Sequence, residues 1–107
     1  MIRPFVAILS LLYTPGVTVE TIEVPDRGAV NLETFACMDT PRSTVVQRVC
    51  YDSDRNYLLV NVGGTYREYC RLSVPVFQAF LVAPSMGQFQ RRKLSTGEFA
   101  CSIAATE

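Results

Sequence analysis

The chain contains no histidine and no tryptophan. Without histidine it lacks the commonest general base at neutral pH and the commonest metal ligand. It also lacks net charge, since ten Lys and Arg balance ten Asp and Glu. No global field therefore recruits nucleic acid or an anionic membrane. There is no Cys-x-x-Cys pair, no Gly-x-Ser-x-Gly elbow, no internal repeat and no low-complexity segment. The usual sequence signs of a redox or acyl-transfer site are thus missing. No apolar run reaches the roughly 20 residues of a membrane-spanning helix. The 107 residues suit one domain, small enough that its core is modest and cross-links help it.

What is present begins with an apolar leader. Met1-Ile2-Arg3 is a short basic start, Phe5–Tyr13 a nine-residue apolar run, and Thr14-Pro15-Gly16 a helix breaker with small residues. This order matches a secretory signal peptide over residues 1–16, cleaved after Gly16. The competing reading makes the run a buried strand or helix of the domain. Four cysteines follow: Cys37, Cys50, Cys70 and Cys101. An even number behind a leader reads as two disulfides formed in an oxidising compartment, periplasmic or secreted. The alternatives are a cytoplasmic protein with four reduced thiols, or a zinc site. Zinc is disfavoured because structural sites draw ligands paired closely in sequence.

The pattern along the chain is that of an α+β domain. Val17–Val30 alternates loosely, loses phase at Thr21 and is interrupted by Pro25 and Gly28, so residues 17–36 read as a linker or a loose edge strand that ends at Pro25. Val45–Tyr51 reads as a strand with Val45, Val49 and Tyr51 on one face and Val46, Arg48 and Cys50 on the other. A polar turn, Asp52–Asn56, leads to a second strand, Tyr57–Val62, with Leu58, Val60 and Val62 on one face. Gly63-Gly64 predicts a two-residue hairpin turn, whose central positions need positive φ. Thr65–Cys70 is the third strand. After Ser73 the period changes: Val74, Phe77, Phe80 and Leu81 predict a helix over 74–83, with Ser73 at its N-cap and Pro84 beyond its end. Ser85–Phe89 predicts a turn or short helix, and Glu98–Ile103 a last short strand. The expected fold is a small antiparallel meander of three or more strands, with one main helix packed on one face and disulfides holding it together.

This topology restricts the bridges. Cys50 and Cys70 lie at the same end of the first and third strands, two strand spacings or almost 10 Å apart. A bridge needs Cα atoms closer than about 7 Å. Two pairings remain: Cys37–Cys50 with Cys70–Cys101, or Cys37–Cys70 with Cys50–Cys101.

Several of these residues, in this order, resemble the KTSC domain. They are Tyr51-Asp52, Leu58–Val60, Gly64-Thr65-Tyr66, Tyr69-Cys70 and Ala83-Pro84-Ser85-Met86-Gly87-Gln88-Phe89. The resemblance runs from about Ser43 to Phe99 and implies a KTSC-like domain over residues 37–103. That domain occurs at the C-terminus of some lysyl-tRNA synthetases and alone in small bacterial proteins, and RNA binding has been suggested for it. This chain departs from the family pattern: Arg67 stands where the first tyrosine of a Tyr-x-Tyr pair is expected, Leu72-Ser73 where Val-Pro is, and Gln90-Arg91 where an asparagine is.

Charge and aromatic residues supply the remaining candidates. Residues 17–40 carry five acids against Arg27, whereas residues 65–95 carry five bases against Glu68. The bland reading is two solvated faces; the sharper one is a basic patch for an anionic partner. Tyr51, Tyr57, Tyr66 and Tyr69, with Arg48, Arg67 and Arg71, would form a single-strand nucleic-acid platform if exposed on one sheet face, or cross-strand packing if buried. Asp52 and Asp54 read as turn residues, Ser85 as the cap of the turn that carries Gly87, and Gly87 as a positive-φ or close-packing position. The first functional expectation is an exported, disulfide-stabilised, non-catalytic binding or accessory module. Its contact surface would be Ser85–Lys93, including Gly87, Arg91, Arg92 and Lys93, and its partner a protein or another anion. The runner-up is an RNA or single-stranded nucleic-acid module using Arg67, Tyr69, Arg71 and Arg91–Lys93. No enzyme, cofactor, metal or membrane span in the mature chain is expected.

Overall fold

The computed structural model describes residues 19–101. The leader over 1–16 lies outside the described residues. Six strands come first: β1 (Thr21–Val24), β2 (Gly28–Asn31), β3 (Ala36–Asp39), β4 (Val46–Asp52), β5 (Tyr57–Val62) and β6 (Thr65–Tyr69). Two helices follow, α1 (Val74–Leu81) and α2 (Met86–Phe89), and α2 runs on into a π-helical segment, Gln90–Leu94. β1 and β2 form a two-stranded sheet, and β3-β4-β5-β6 a four-stranded antiparallel one. This is an α+β fold carrying two disulfides.

The region that reads as a linker or loose edge strand forms a hairpin. β1 stops at Val24 because Pro25 cannot continue the ladder. Pro25 instead opens a turn, with Asp26 at φ 68° and the Arg27 amide bonded to the Val24 carbonyl at 3.0 Å, as a turn with positive φ at its third residue requires. The hairpin lies on one face of the large sheet, where Val24 and Leu32 bury against Cys50 and Leu59. Its ends are pinned by ion pairs, Arg27 to Glu68 and Arg48 to Glu20.

The opposite face carries the main core. Val46, Val49, Tyr51, Leu58, Val60 and Tyr69 project from the strands onto Phe77 and Phe80 of α1 and onto Met86 and Leu94. Leu58 and Val60 sit on this face as their alternation predicts. Val46 does not. It shares the core with Val49 because the β4–β5 register shifts between Val46 and Arg48. Gln47 is an extra residue there, a β-bulge that resets the alternation. Simple period-2 counting sends Val46 to the wrong face for that reason. Tyr51 stacks on Phe77, with centroids 4.3 Å apart, and its hydroxyl donates to the Leu72 carbonyl at 2.6 Å.

The turns follow their residues. Gly63 and Gly64 have φ of +60° and +95°, as a tight hairpin with two positive-φ centres demands. Asp52 Oδ1 accepts from the Asp54 amide at 3.0 Å and the Arg55 amide at 3.3 Å, which is how an aspartate closes a turn. α1 ends at Leu81 rather than at residue 83. Ser73 has the extended backbone of an N-cap, but its side chain caps nothing. The expected strand over Glu98–Ile103 is absent as far as Cys101, where the described residues end: Thr96–Phe99 is a turn region, and the Ala100 amide bonds back to the Gly97 carbonyl. One backbone bond, from the Cys70 amide to the Phe99 carbonyl at 2.7 Å, joins this segment to the end of β6.

The disulfides take one of the two pairings left open. Cys37–Cys50 joins residues directly opposite one another on β3 and β4. Cys70–Cys101 ties the end of β6 to the C-terminal segment across a Cα separation of 5.0 Å. Leu59 of β5 pairs with Cys50 on one side and Glu68 on the other, so β5 does separate Cys50 from the strand that leads into Cys70.

Candidate functional site

The residues of interest gather around α2. Pro84 ends the α1 connection, and Ser85, in extended backbone, accepts the Gln88 amide on its Oγ at 3.2 Å. That bond satisfies one of the amides left unpaired at a helix start. Gly87 is buried, and a Cβ placed on it would stand 3.1 Å from Val45 Cβ. Its role is therefore close approach to Val45, not a positive φ. Arg42 reaches across from before β4 and donates to the Leu81 and Ala83 carbonyls, both at 2.8 Å. It thereby satisfies carbonyls at the C-terminal end of α1, where a cation is also favoured by the helix dipole.

The π-helical segment has one buried polar residue, Gln90. Its Nε2 donates to the Tyr69 hydroxyl at 2.8 Å and to Ser95 Oγ at 3.0 Å. The Ser95 amide bonds to the Gln90 carbonyl five residues back, the widened spacing of a π-helix. Gln90 thus anchors the segment to β6 from inside. Arg91, Arg92 and Lys93 are all exposed. They divide between two grooves that flank α2. Arg91 joins Arg42, Ser43 and Thr44 along a polar cleft of about 230 Å³. Arg92 and Lys93 join Ala83, Pro84 and Phe89 along a mainly apolar groove, also of about 230 Å³.

The cations differ in what they already hold. Arg27, Arg48 and Arg55 have carboxylate partners in Glu68, Glu20 and Asp52. Arg71 donates to the Glu98 and Ala100 carbonyls at 3.1 and 3.0 Å, so it braces the C-terminal turn. Among the described residues, Arg67, Arg91, Arg92 and Lys93 make no ion pair. Arg67 is not with the other three; it lines a separate cleft with Tyr69, Leu94 and Ser95.

The tyrosines do not form one exposed platform. Tyr51 and Tyr69 are buried beneath the helices, and Tyr57 and Tyr66 pack under the β1–β2 hairpin. Alternation along the strands sends the two pairs to opposite faces. Burial and the hydrogen bond it donates to Glu68 hold the Tyr57 phenol well above its ordinary pKa, and burial near Asp52 raises that of Tyr51. Burial works against a charged Asp52, but hydrogen bonds from Arg55 and Thr34 prevail and hold its carboxyl below the usual range. These groups are occupied by structural bonds. No group of three or more Cys, Asp or Glu among the described residues is placed to hold a metal.

Sequence reasoning placed Ser85, Gly87 and Arg91–Lys93 together, and they are. It also grouped Arg67, Tyr69 and Arg71 with them; Tyr69 and Arg71 instead have internal partners. It missed Arg42 and Gln90. Met86, Gln90 and Leu94 recur every four residues, which would have put Gln90 on the inner face had the helix been extended to Leu94. Nothing in the linear sequence brings Arg42 to a carbonyl thirty-nine residues away.

The strands β4 to β6, both helices and the turn joining them supply the same ordered landmarks over which a family model, the KTSC domain, matches residues 42–97. The chain belongs to the KTSC domain family. The match takes in β4, β5, β6, α1, α2 and the π-helical segment, and leaves β1, β2 and β3 outside. Each disulfide therefore joins a cysteine within the KTSC match, Cys50 or Cys70, to one outside it, Cys37 or Cys101. Comparison with curated proteins and with solved structures finds no match to this chain.

Proposed function

We propose that the chain is an exported, non-catalytic binding module that engages an anionic partner through the segment Ser85–Lys93. The observation that carries this reading is the contrast among its cations. Five arginines have structural partners, whereas Arg91, Arg92 and Lys93 stand consecutive, exposed and without a carboxylate among the described residues. Exposed like charges repel one another, and their clustering beside a well-anchored helix is the usual footprint of a surface for anions. Export is supported by the two disulfides, which persist where thiols oxidise, and by the apolar leader in the sequence. A non-catalytic role is supported by the structural engagement of the perturbed carboxyl and phenol groups.

The test is calorimetry with poly-glutamate across a salt series, on the parent chain and on the Arg91→Glu/Arg92→Glu/Lys93→Glu variant. Binding should weaken as salt rises and vanish in the variant, because exposed pairs are screened. Absence of binding at low salt refutes the reading. Binding of single-stranded nucleic acid but not of poly-glutamate would favour the nucleic-acid alternative. Intact mass after fractionation, with and without reductant, checks export and the two bridges.

A further inference from the structure

The groove lined by Ala83, Pro84 and Phe89 has a character that charge alone does not explain. It is mainly apolar, yet Arg92 and Lys93 stand in its lining. A small apolar recess within a polar rim is the anatomy of a protein-recognition patch, where one anchored side chain fills the recess. The volume of about 230 Å³ is below the roughly 300–1,000 Å³ that encloses whole small ligands. It suits a side chain better than a cofactor.

The shape and chemistry discriminate among anions. Phe89, the aromatic residue in the groove's lining, is half-buried and packed against Phe80 with centroids 5.5 Å apart, a poor stacking platform for a base. The apolar lining comes from three residues, Ala83, Pro84 and Phe89, whereas binding to a bilayer surface needs the long apolar face of an amphipathic helix. An acidic polypeptide satisfies both parts of the groove at once, the rim through carboxylates and the recess through an aliphatic side chain. Arg92 and Lys93 line the same groove as the apolar residues, so carboxylates flanking that aliphatic side chain would be within their reach.

We infer that this groove receives one aliphatic side chain of an extended acidic polypeptide, whose neighbouring carboxylates pair with Arg92 and Lys93. The inference rests on the anionic-partner reading above and names the chemistry of that partner.

Fluorescence anisotropy with three labelled probes tests it on the full, oxidised chain. The probes are a short Asp/Glu-rich peptide with a central Leu, the same peptide with a central Ser, and oligo-dT. The Leu peptide should bind about tenfold more tightly than the Ser peptide, the expected gain from partly burying a leucine. Gln88→Trp, at an exposed groove position, should abolish that preference. Arg92→Glu/Lys93→Glu should weaken both peptides. Equal affinity of the parent chain for the Leu and Ser peptides overturns the groove inference and leaves the anionic-partner reading standing. Failure of every acidic peptide at low salt overturns both. Tighter binding of oligo-dT than of the Leu peptide overturns the peptide assignment. The comparison of Leu and Ser probes needs no substitution, so it decides the matter even if the Gln88 variant fails to fold.

Discussion

Removing the Cys70–Cys101 bridge should cost far more than its half-buried, C-terminal position suggests. The bridge spans 31 residues of sequence, whereas Cys37–Cys50 spans 13. The chain-entropy relation assigns about 4 kcal/mol to the longer loop and about 3 kcal/mol to the shorter at 25 °C. The longer loop encloses α1, α2 and the π-helical segment, so its closure holds the whole helical layer on the sheet. It also holds the C-terminal turn, where Phe99 is buried in the core and Arg71 binds two carbonyls. Against a total stability of about 5–15 kcal/mol for an ordinary domain, the Cys70→Ala/Cys101→Ala variant should be marginal at body temperature. Urea titration followed by far-ultraviolet circular dichroism measures the loss, since there is no tryptophan to report it. Native-state hydrogen exchange should also show early release of the amide at position 70, which donates to the Phe99 carbonyl. A loss below about 1 kcal/mol, with that amide still protected, would refute the argument that this bridge is the main staple of the helical layer.

Three further outcomes are expected. Replacing Gln90 with Ala should destabilise the fold by about 1–3 kcal/mol, because the Tyr69 hydroxyl loses its 2.8 Å partner and keeps only a 3.4 Å contact with Ser95; Tyr69→Phe combined with Gln90→Leu should recover part of that loss in the same denaturation assay. Arg48→Ala, which removes the ion pair with a half-exposed Glu20, should cost no more than about 1 kcal/mol, with the difference shrinking in high salt. The depressed Asp52 carboxyl contributes stability that is complete above its unfolded value of 3.8 and is lost as pH falls through the lower folded value. The raised Tyr51 and Tyr57 phenols contribute stability that is complete below 10.0 and is lost as pH rises above it. Thermal melts from pH 2 to 12 should therefore fall at both ends, and Asp52→Asn should flatten the acid limb.

The hairpin outside the KTSC match shows where local pattern and tertiary packing part. Residues 21–31 have weak alternation, and alone would bury too little to be stable. They hold their form because Leu59 and Cys50 of the large sheet offer an apolar face and Glu68 receives Arg27. That face exists only once β4, β5 and β6 have paired. The basic site is a mixed case. Its cations are adjacent in sequence and so were readable as a cluster. Their division between a polar cleft and an apolar groove follows from how α2 is seated, which depends on Gly87 meeting Val45 and Gln90 meeting Tyr69.

By itself the sequence determined the antiparallel meander, the helix after Ser73, the tight Gly63-Gly64 turn and the family, because these rest on local periodicity, backbone preference and ordered landmarks along the chain. It also narrowed the cysteine pairing to two patterns. Tertiary structure alone chose between those patterns, moved Val46 to the helix face through the bulge at Gln47, and sent the tyrosines to two buried faces. It alone showed which arginines are already held. The physical reason is range: a turn or a strand responds to its neighbours in the chain, whereas a partner for a charge, a ring or a thiol is supplied by residues that only folding brings near.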